Sequence, residues 1–384
     1  MDSIEEIIDL CGGGEKQMRS ISRRSFNSAI IGVFVSEMVW RTEKLKGKNM
    51  ENNSKNSSLA IDEGMFVKIN GVDQWITIRG QDLGNPILLW LHGGPGIAMS
   101  SQEPIFAEWE KYFTLVHWDQ PGGGATYAKN MDTGEGPLTP ERFTRDGIAV
   151  AECIRKHLHA EKMVLMGMSW GTQLGLMMVK KRPDLFSAYV GTAQVVSGSR
   201  GGKLGYELAL EAARKRDDKA AIEELERVGP PPYKTVEDFF IRQKYTNPPG
   251  LPPSPAEKSA LEEIAKILSV SPPADARYIA KGLPDYDGMK VFIETQKAMF
   301  KEGWKFEARD LGSLYTIPIF VFQGENDLNA PAVLAREFIN EIQAPIKKYV
   351  EIPGAGHMTI AFHAELLRLL RTYVRPLVTH TSSN

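Results

Sequence analysis

Short apolar runs alternate with helical apolar periods along the chain from about residue 61 onward. A strand that is covered on both faces reads as a continuous apolar run, whereas an amphipathic helix repeats its apolar residues every three to four positions. The alternation therefore predicts an α/β fold with a mainly parallel sheet and helices on both faces. Eight strands are predicted, at residues 65–69, 75–79, 87–91, 114–118, 163–166, 188–192, 317–322 and 348–352. The first two are joined at Asn70-Gly71, a pair that favours a tight hairpin.

The strand pattern is interrupted between about residues 196 and 305, where helical periods separated by proline-rich breaks replace it. Because the strand pattern resumes afterwards, this segment is predicted to be a helical insertion that caps the carboxyl edge of the sheet. A separate domain is the alternative. The predicted organisation is an N-terminal extension over 1–60, a first core part over 61–196, the cap over 197–305 and a second core part over 306–384.

The first sixty residues differ in composition from the rest of the chain. The basic pair Arg23-Arg24, followed by the apolar stretch 29–35, resembles a twin-arginine export signal. Glu37 interrupts the apolar stretch and no A-x-A cleavage site follows, so an ordinary amphipathic helix is the alternative. The Lys-, Asn- and Ser-rich stretch 41–58 favours a solvated linker. Two localisations therefore stay open, cytoplasmic or exported.

Composition excludes several functional classes. The net charge of −2 over 384 residues gives no electrostatic reason to expect a nucleic-acid partner. The two cysteines, Cys11 and Cys153, are isolated, so neither a disulfide framework nor a cysteine-based metal site is predicted. No apolar stretch approaches the roughly 20 residues that a membrane span needs. Composition does not indicate an oligomeric state.

The sequence Gly167-Met168-Ser169-Trp170-Gly171 places a serine in a G-x-S-x-G frame directly after a predicted buried strand. An apolar helical face follows it, so the segment predicts a nucleophile elbow, the sharp turn from strand to helix that exposes a reactive serine. Only glycine fits at the two outer positions, because the turn brings side chains there into neighbouring backbone. Ser169 is therefore the candidate nucleophile.

A serine hydroxyl needs a base to accept its proton, and the base needs an acid to orient it. In sheets with a nucleophile elbow these groups follow along the chain in the order serine, acid, histidine. Asp327 follows the seventh predicted strand, and His357 follows the eighth within a glycine-rich loop, so both stand at carboxyl strand ends. They are the candidate acid and base, and Glu325 is the competing acid.

Acyl transfer also needs hydrogen-bond donors for the oxygen that becomes negative in the transition state. One donor is expected from the backbone N–H of Trp170, the residue after the nucleophile. The second is expected from the loop after the third strand, His92-Gly93-Gly94-Pro95-Gly96, where glycines allow the backbone to approach a substrate oxygen. Together the two elements predict an oxyanion hole.

These motifs resemble those of the α/β hydrolases of the proline iminopeptidase (prolyl aminopeptidase) type. The resemblance rests on residues 92–96, Trp118-Asp119-Gln120 with Gly122, residues 167–171, Asp327 with Pro331, and Gly356-His357, in family order over residues 61–375. It implies an eight-stranded α/β-hydrolase sheet with an inserted helical cap and no metal or cofactor. By this resemblance the site residues are Ser169 as nucleophile, His357 as base, Asp327 as its orienting acid, Gly94 and Trp170 as oxyanion donors, and Gly93 beside the substrate.

Two departures from the family pattern concern the substrate. Pro121 stands where the family usually has arginine, so a local ion pair or hydrogen bond of the family is missing. The cap also lacks the family's Trp-x-x-Trp-Glu segment, whose acid helps to hold the free amine of a peptide. Four other cap carboxylates are candidates for binding an ammonium group: Glu207, Glu211, Glu237 and Glu294. Of these, Glu294 is predicted as a substrate-binding residue.

The sequence therefore predicts a serine hydrolase that works through an acyl-enzyme on a small molecule or short peptide. The leading interpretation is an aminopeptidase that releases N-terminal residues from small peptides or amides. The alternative is a carboxylesterase or lactonase that acts on a small apolar ester. A non-enzymatic binding protein is a third class, and the complete set of catalytic motifs argues against it.

Overall fold

The computed structural model describes residues 60–378 apart from residues 99, 249, 271–281 and 285. Within this part of the chain eight strands form one sheet in the order β1-β2-β4-β3-β5-β6-β7-β8. Strand β2 is antiparallel to β1 and β4, and the other neighbouring pairs are parallel. The predicted eight-stranded, mostly parallel sheet is confirmed. Its strands are β1 (Ile61–Ile69), β2 (Val72–Gly80), β3 (Ile87–Leu91), β4 (Thr114–Asp119), β5 (Met163–Met168), β6 (Phe186–Thr192), β7 (Ile319–Gly324) and β8 (Lys347–Ile352).

The strand boundaries differ from the predicted ones where backbone pairing, rather than apolar content, decides them. Strand β1 begins four residues earlier than predicted, because its half-exposed start at Ile61 pairs with Gly80 of β2. Strand β7 begins two residues later, beyond Pro318, which has no N–H to give to a neighbouring strand. The carbonyl of Pro318 still accepts a hydrogen bond of 2.9 Å from the Tyr189 N–H.

The predicted hairpin between β1 and β2 has the expected geometry. Asn70 and Gly71 both have positive φ, 48° and 88°, which is the backbone conformation of a type I′ turn. Ile69 and Val72 on either side are directly paired, so the connection is two residues long. Asn-Gly tolerates this conformation, and the right-handed twist of the two strands requires it.

Helices cover both faces of the sheet. Along β3, Leu89 and Leu91 belong to one apolar cluster, whereas Leu88 and Trp90 belong to a second, as expected for side chains that alternate between faces. Leu174 is buried in the first cluster, and helix residues near the carboxyl terminus fill the second. The helices outside the β6–β7 connection are α1 (Gly124–Asn130), α2 (Pro140–His157), α3 (Trp170–Lys181), α9 (Ala332–Glu341), α10 (His363–Leu369) and α11 (Arg375–Val378).

Five described helices lie between β6 and β7, and we call them the helical insertion: α4 (Gly198–Lys215), α5 (Lys219–Val228), α6 (Val236–Thr246), α7 (Pro255–Val270) and α8 (Gly288–Lys305). Each begins after a side-chain cap that accepts a backbone N–H of the first turn, from Ser197, Asp218, Thr235, Ser254 and Asp287 in turn. These caps, together with the proline breaks, divide the segment into separate helices.

The exact domain boundaries at 196 and 305 stay a prediction. The predicted N-terminal extension, with its twin-arginine-like segment, lies outside the described residues except for residue 60. Over the part of the chain that the structure describes, no helix combines the length and the apolar character needed to cross a membrane.

The turn from β5 into α3 leaves no room for a side chain two residues before or two residues after Ser169. A Cβ atom on Gly171 would overlap the carbonyl group of Leu91 at the end of β3, and one on Gly167 would overlap the carbonyl of Gly171. Ser169 itself has a φ of 54°, in the left-handed region that non-glycine residues rarely adopt. The close approach of β3, β5 and α3 is therefore possible only with glycine at both outer positions of the motif.

We expect Gly171→Ala to lower the free energy of unfolding by about 1 to 3 kcal/mol or more, because the added methyl group forces backbone apart. Thermal unfolding of the variant beside the wild type measures the effect. Gly303→Ala is the matched control, since a Cβ there meets no atom within 4 Å and Gly303 also lies inside a helix. It should be neutral or stabilising by up to about 1 kcal/mol. Equal melting temperatures for Gly171→Ala and wild type would contradict the steric argument.

Candidate active site

Ser169 lies at the N-terminal end of α3, where the chain leaves β5. Its backbone is held from both sides: its N–H donates to the Thr192 carbonyl at 3.1 Å, and its carbonyl accepts from the N–H of Thr172 at 2.8 Å. The Thr172 hydroxyl donates to the same carbonyl at 2.6 Å. These contacts fix the left-handed conformation that turns the Ser169 side chain toward the carboxyl edge of the sheet.

Three predicted residues form a continuous hydrogen-bonded chain. The Oγ of Ser169 lies 2.9 Å from Nε2 of His357. The Nδ1 of the same ring lies 2.9 and 3.0 Å from the two carboxylate oxygens of Asp327. Asp327 is 2% exposed and His357 8%, so the carboxylate is shielded from water while the ring reaches the surface of a cavity. The arrangement is able to move a proton from the hydroxyl to the imidazole while the carboxylate orients the ring.

Both oxygens of the Asp327 carboxylate accept hydrogen bonds from the end of β7 and the loop after it. Its Oδ1 accepts the backbone N–H groups of Asn329 at 2.9 Å and Ala330 at 2.8 Å. Its Oδ2 accepts the side-chain amide of Gln323, the penultimate residue of β7, at 3.0 Å. A buried carboxylate is stable only with such donors, so the sharp turn after β7 holds the charge and aims it at His357. Glu325, the competing acid, bonds instead to the N–H of Gly354 at 2.8 Å.

The loop after β3 lies directly against the nucleophile. A Cβ on Gly93 would be 3.5 Å from the Cβ of Ser169, so the two residues are in contact distance. Gly94, with a φ of 110°, lines the same cavity as Ser169 and Trp170. Trp170 is the first residue of α3, and a first-turn N–H has no acceptor inside its own helix. The structure therefore brings the two predicted oxyanion elements to one cavity.

His92 controls the orientation of the peptide between Gly93 and Gly94. The backbone N–H of Gln120 donates to Nε2 of His92 at 3.2 Å, so that nitrogen is an acceptor and Nδ1 carries the proton. Nδ1 donates to the Gly93 carbonyl at 2.8 Å. In a trans peptide the N–H points opposite to the C=O, so the Gly94 N–H is directed away from His92. Burial lowers the pKa of His92 to about 4, which keeps the ring neutral near neutral pH.

Gln120 joins the two sides of the predicted oxyanion hole. Its backbone N–H bonds to His92, and its side-chain carbonyl accepts the indole N–H of Trp170 at 3.0 Å. The residue before it, Asp119, accepts the Ser100 hydroxyl and the Ala125 N–H, both at 2.8 Å. The Trp-Asp-Gln motif thus fixes the loop after β4 and, through it, the relative positions of Gly94 and Trp170. Motif matching identified these residues, but only the structure gives His92 and Gln120 positioning roles.

The cavity over Ser169 lies between the sheet edge and the helical insertion. It contains about 760 Å³ of empty space, a figure that includes its open mouth. Aromatic and apolar side chains from α6 and α8 form one wall, and uncharged amides form much of the rest. The residues that line it include Phe239, Arg242, Gln243, Phe300, Trp304 and Asn329.

The insertion is hydrogen-bonded to the three loops that carry Gly94, Asp327 and His357. Gln296 of α8 donates to the Pro95 carbonyl at 2.7 Å, next to Gly94. Ser254, the cap of α7, donates to the Gly354 carbonyl at 2.6 Å, three residues before His357. Arg242 of α6 donates to the side-chain oxygen of Asn329 at 2.5 Å, two residues after Asp327. The insertion therefore covers the site and also supports its loops.

Glu257 of α7 is a buried carboxylate beside the predicted base, and the sequence analysis did not identify it. It is 4% exposed, and its Oε1 accepts the N–H of Gly356 at 3.2 Å. Burial raises the pKa of Glu257 to about 7; the N–H of Gly356 opposes the rise, and the charge of Asp327 adds to it. No local sequence signal marks this residue, because its burial results from the docking of α7 on the loop before His357.

Glu294 does not join the other predicted residues. It is exposed on α8, lies 3.9 Å from Lys297 and is not among the residues that line the cavity. The other cap carboxylates that were predicted as candidates do not line the cavity either: Glu207, Glu211 and Glu237. Over the described residues, no group of three or more histidine, cysteine, aspartate or glutamate side chains is placed to hold a metal ion.

This chain matches the α/β hydrolase fold family over residues 86–364, and it belongs to that family. Among its relatives is a probable aminopeptidase of Bacillus subtilis, YbaC, 27% identical over 76% of this chain and 89% of the relative. A proline iminopeptidase of Lactobacillus helveticus is 26% identical over 45% of this chain and 58% of its own length. The resemblance to the proline iminopeptidase type is thereby confirmed.

The fold is shared with solved structures at low sequence identity. The crystal structure of a proline iminopeptidase-related protein from Thermus thermophilus superposes with a TM-score of 0.55 at 19% identity. The match covers 83% of this chain and 99% of that one. At this identity the similarity shows the architecture alone.

We expect His92→Ala to lower kcat by between about tenfold and a hundredfold while KM changes little, because the Gly93–Gly94 peptide loses the contact that directs its N–H. Steady-state kinetics on any substrate that the wild type cleaves measures both constants. His157→Ala is the control, since His157 is exposed on α2 and does not line the cavity. A rise in KM with unchanged kcat would show that His92 affects binding and not the oxyanion donor.

We expect Glu257→Gln to stabilise the protein at pH 8 to 9 by roughly 1 to 3 kcal/mol and to have no such effect near pH 5. The pKa of Glu257 is raised by folding, so its contribution is favourable while it is protonated and is lost as the pH rises through about 7. Glutamine keeps an oxygen for the Gly356 N–H without the charge. Denaturant unfolding at both pH values tests this, with exposed Glu262 on the same helix, changed to Gln, as control. A gain of equal size at pH 5 would contradict it.

Proposed function

We propose that this protein is a serine hydrolase in which Ser169 is the nucleophile, His357 the base and Asp327 the orienting acid. The observation that carries the proposal is the unbroken chain of hydrogen bonds from Ser169 Oγ through both ring nitrogens of His357 to the carboxylate of Asp327. Capping a helix does not require an imidazole and a buried carboxylate in series with the serine hydroxyl, whereas activation of the hydroxyl as a nucleophile does.

In the acylation step the Oγ of Ser169 attacks a carbonyl carbon of the substrate, and its proton passes to Nε2 of His357. The carbonyl oxygen becomes negative and is stabilised by the backbone N–H groups of Gly94 and Trp170, each worth roughly a hundred- to a thousandfold in rate. The Asp327 carboxylate stabilises the resulting imidazolium. His357 then gives the proton to the leaving amine or alcohol, and the acyl group stays on Ser169.

In the deacylation step the same groups act on water. The base accepts a proton from water as the water attacks the acyl carbon, and it then returns a proton to Ser169 Oγ as the bond to the acyl group breaks. The free acid leaves and the enzyme is restored. Apart from water, neither step needs a co-reactant or an electron acceptor. The three side chains and the two N–H groups therefore account for the whole cycle.

For the substrate class, the first candidate is a short peptide or amino-acid amide that loses its N-terminal residue. The probable aminopeptidase YbaC supports it, because that relative matches over most of both chains. The confirmed resemblance to proline iminopeptidases supports it as well. By this proposal residues 197–305 form the cap that closes over a substrate of this size.

A second candidate, a carboxylesterase or lactonase acting on a small ester, has one observation in its favour. No carboxylate lines the cavity among the described residues, so these residues supply no counter-charge for a peptide's free ammonium group. An ester without a free amine needs no such anchor. The aromatic wall formed by Phe239, Phe300 and Trp304 suits an apolar acyl or leaving group.

We expect Ser169→Ala to remove acyl-enzyme formation and to lower kcat by at least about ten-thousandfold, with little change in stability. A fluorophosphonate probe, which labels an activated serine covalently, should modify the wild type and fail on the variant. Ser199→Ala is the control and should keep full labelling, because Ser199 of α4 does not line the cavity and its hydroxyl donates to Glu307. If Ser169→Ala retains more than about a hundredth of the wild-type kcat, the assignment of the nucleophile is wrong.

A panel of three substrates separates the two candidates: a prolyl arylamide with a free amine, the same arylamide with a blocked amine, and a simple aryl ester. An aminopeptidase cleaves the first far faster than the second. Rapid cleavage of the ester, with no preference for the free amine, would reject the peptidase and leave the esterase.

A further inference from the structure

Arg242 places a buried positive charge in the wall of the cavity that contains Ser169. It belongs to α6, is only 3% exposed and lines the cavity together with Ser169 and His357. An arginine side chain stays protonated in proteins, and here burial lowers its pKa while the nearby Tyr233 hydroxyl and Asp327 carboxylate raise it. A permanent charge is thus held where water has little access.

The protein satisfies this guanidinium only in part. One of its terminal nitrogens donates to Asn329 at 2.5 Å, and the guanidinium carbon lies 5.3 Å from the ring centre of Phe239. Its Nε has no hydrogen-bond partner within the described part of the chain. Among the described residues no carboxylate lies within 4.0 Å of it, and Asp327 already bonds to His357, to Gln323 of β7 and to two N–H groups of its own loop.

A buried charge without a counter-charge is costly to a folded protein, and folded proteins normally pair it. The rest of the cavity does not supply the missing anion. Its other polar side chains include the neutral amides of Gln173, Gln243 and Gln296, and no described lining residue is acidic. The missing partner is therefore expected from the molecule that enters the cavity, and a guanidinium fits a carboxylate through two parallel hydrogen bonds.

We propose that Arg242 binds a carboxylate of the substrate, so that the protein prefers acyl compounds carrying a free carboxylate near the bond that is cleaved. The inference rests on the proposed function, since it names the substrate class of the same serine hydrolase site. It fits both candidates: a short peptide has a C-terminal carboxylate on the leaving-group side, and a half-ester of a dicarboxylic acid has one on the acyl side.

The first test compares matched substrates on the wild-type protein. On the acyl side, an aryl half-ester of glutaric acid is compared with the aryl ester of valeric acid, which has a methyl group in place of the carboxylate. On the leaving-group side, a prolyl dipeptide is compared with its C-terminal amide. The expected result is a kcat/KM at least about tenfold higher for the carboxylate member of one pair. Equal or lower values for the carboxylate member in both pairs would overturn the proposal.

The second test asks whether Arg242 causes the preference. Arg242→Met should lower the ratio of kcat/KM between the two members of the preferred pair at least about tenfold, and Arg242→Lys should keep part of it. Arg214→Met is the matched control, because Arg214 is exposed on α4 and pairs with Glu226. An unchanged ratio in Arg242→Met would assign the arginine a structural role only.

Two further readouts keep the outcomes distinct. Thermal unfolding shows whether Arg242→Met folds. If it does not fold, the proposal is tested by Arg242→Lys and by the matched substrates on the wild-type protein. Fluorophosphonate labelling of Ser169 tests the proposed function independently of any substrate. Labelling with no carboxylate preference would reject the role of Arg242 alone, whereas absence of both labelling and turnover in folded wild type would reject the hydrolase itself.

Discussion

The contact between the end of β3 and the first turn of α3 is the steric constraint on which the whole site depends. Gly171 packs so closely on the Leu91 carbonyl that no side chain fits, and Gly167 is confined in the same way. This closeness brings Gly93, two residues after the end of β3, within contact of Ser169. Without it, the nucleophile and the loop that supplies the proposed oxyanion donor would lie too far apart to act on one carbonyl group.

The helical insertion is hydrogen-bonded to three loops that follow strands of the sheet, those after β3, β7 and β8. α8 bonds to the loop after β3 through Gln296, α7 to the loop after β8 through Ser254 and Glu257, and α6 to the loop after β7 through Arg242. A net gain of about 1 kcal/mol for each such hydrogen bond makes their combined loss costly. A substrate that displaces one of these helices therefore acts directly on the alignment of the acid, the base or the proposed oxyanion donor.

Local signals explain why the sheet and the arrangement of Ser169, Asp327 and His357 were predictable from the sequence. Apolar runs mark buried strands, and the spacing of glycines marks turns that admit no other residue, so both are visible along one stretch of chain. Arg242 and Glu257 were not predictable, because each is a charged residue on an otherwise ordinary amphipathic helix and only helix docking buries it. Glu294 was chosen without that information, and it lies on the exposed side of α8.

The three buried charges around the site differ in what balances them, and this difference separates chemistry from selectivity. The Asp327 carboxylate is balanced by fixed N–H groups and by His357, so its role is independent of the substrate. Glu257 is balanced in part by the Gly356 N–H, and its raised pKa allows it to become neutral when the pH falls. Arg242 stays charged at any pH at which the protein is folded, because a guanidinium does not lose its proton in proteins. A charge that neither neutralises nor hydrogen-bonds to an internal anion is paired by an external one in the proposed complex, and selectivity then follows from the substrate's own charge.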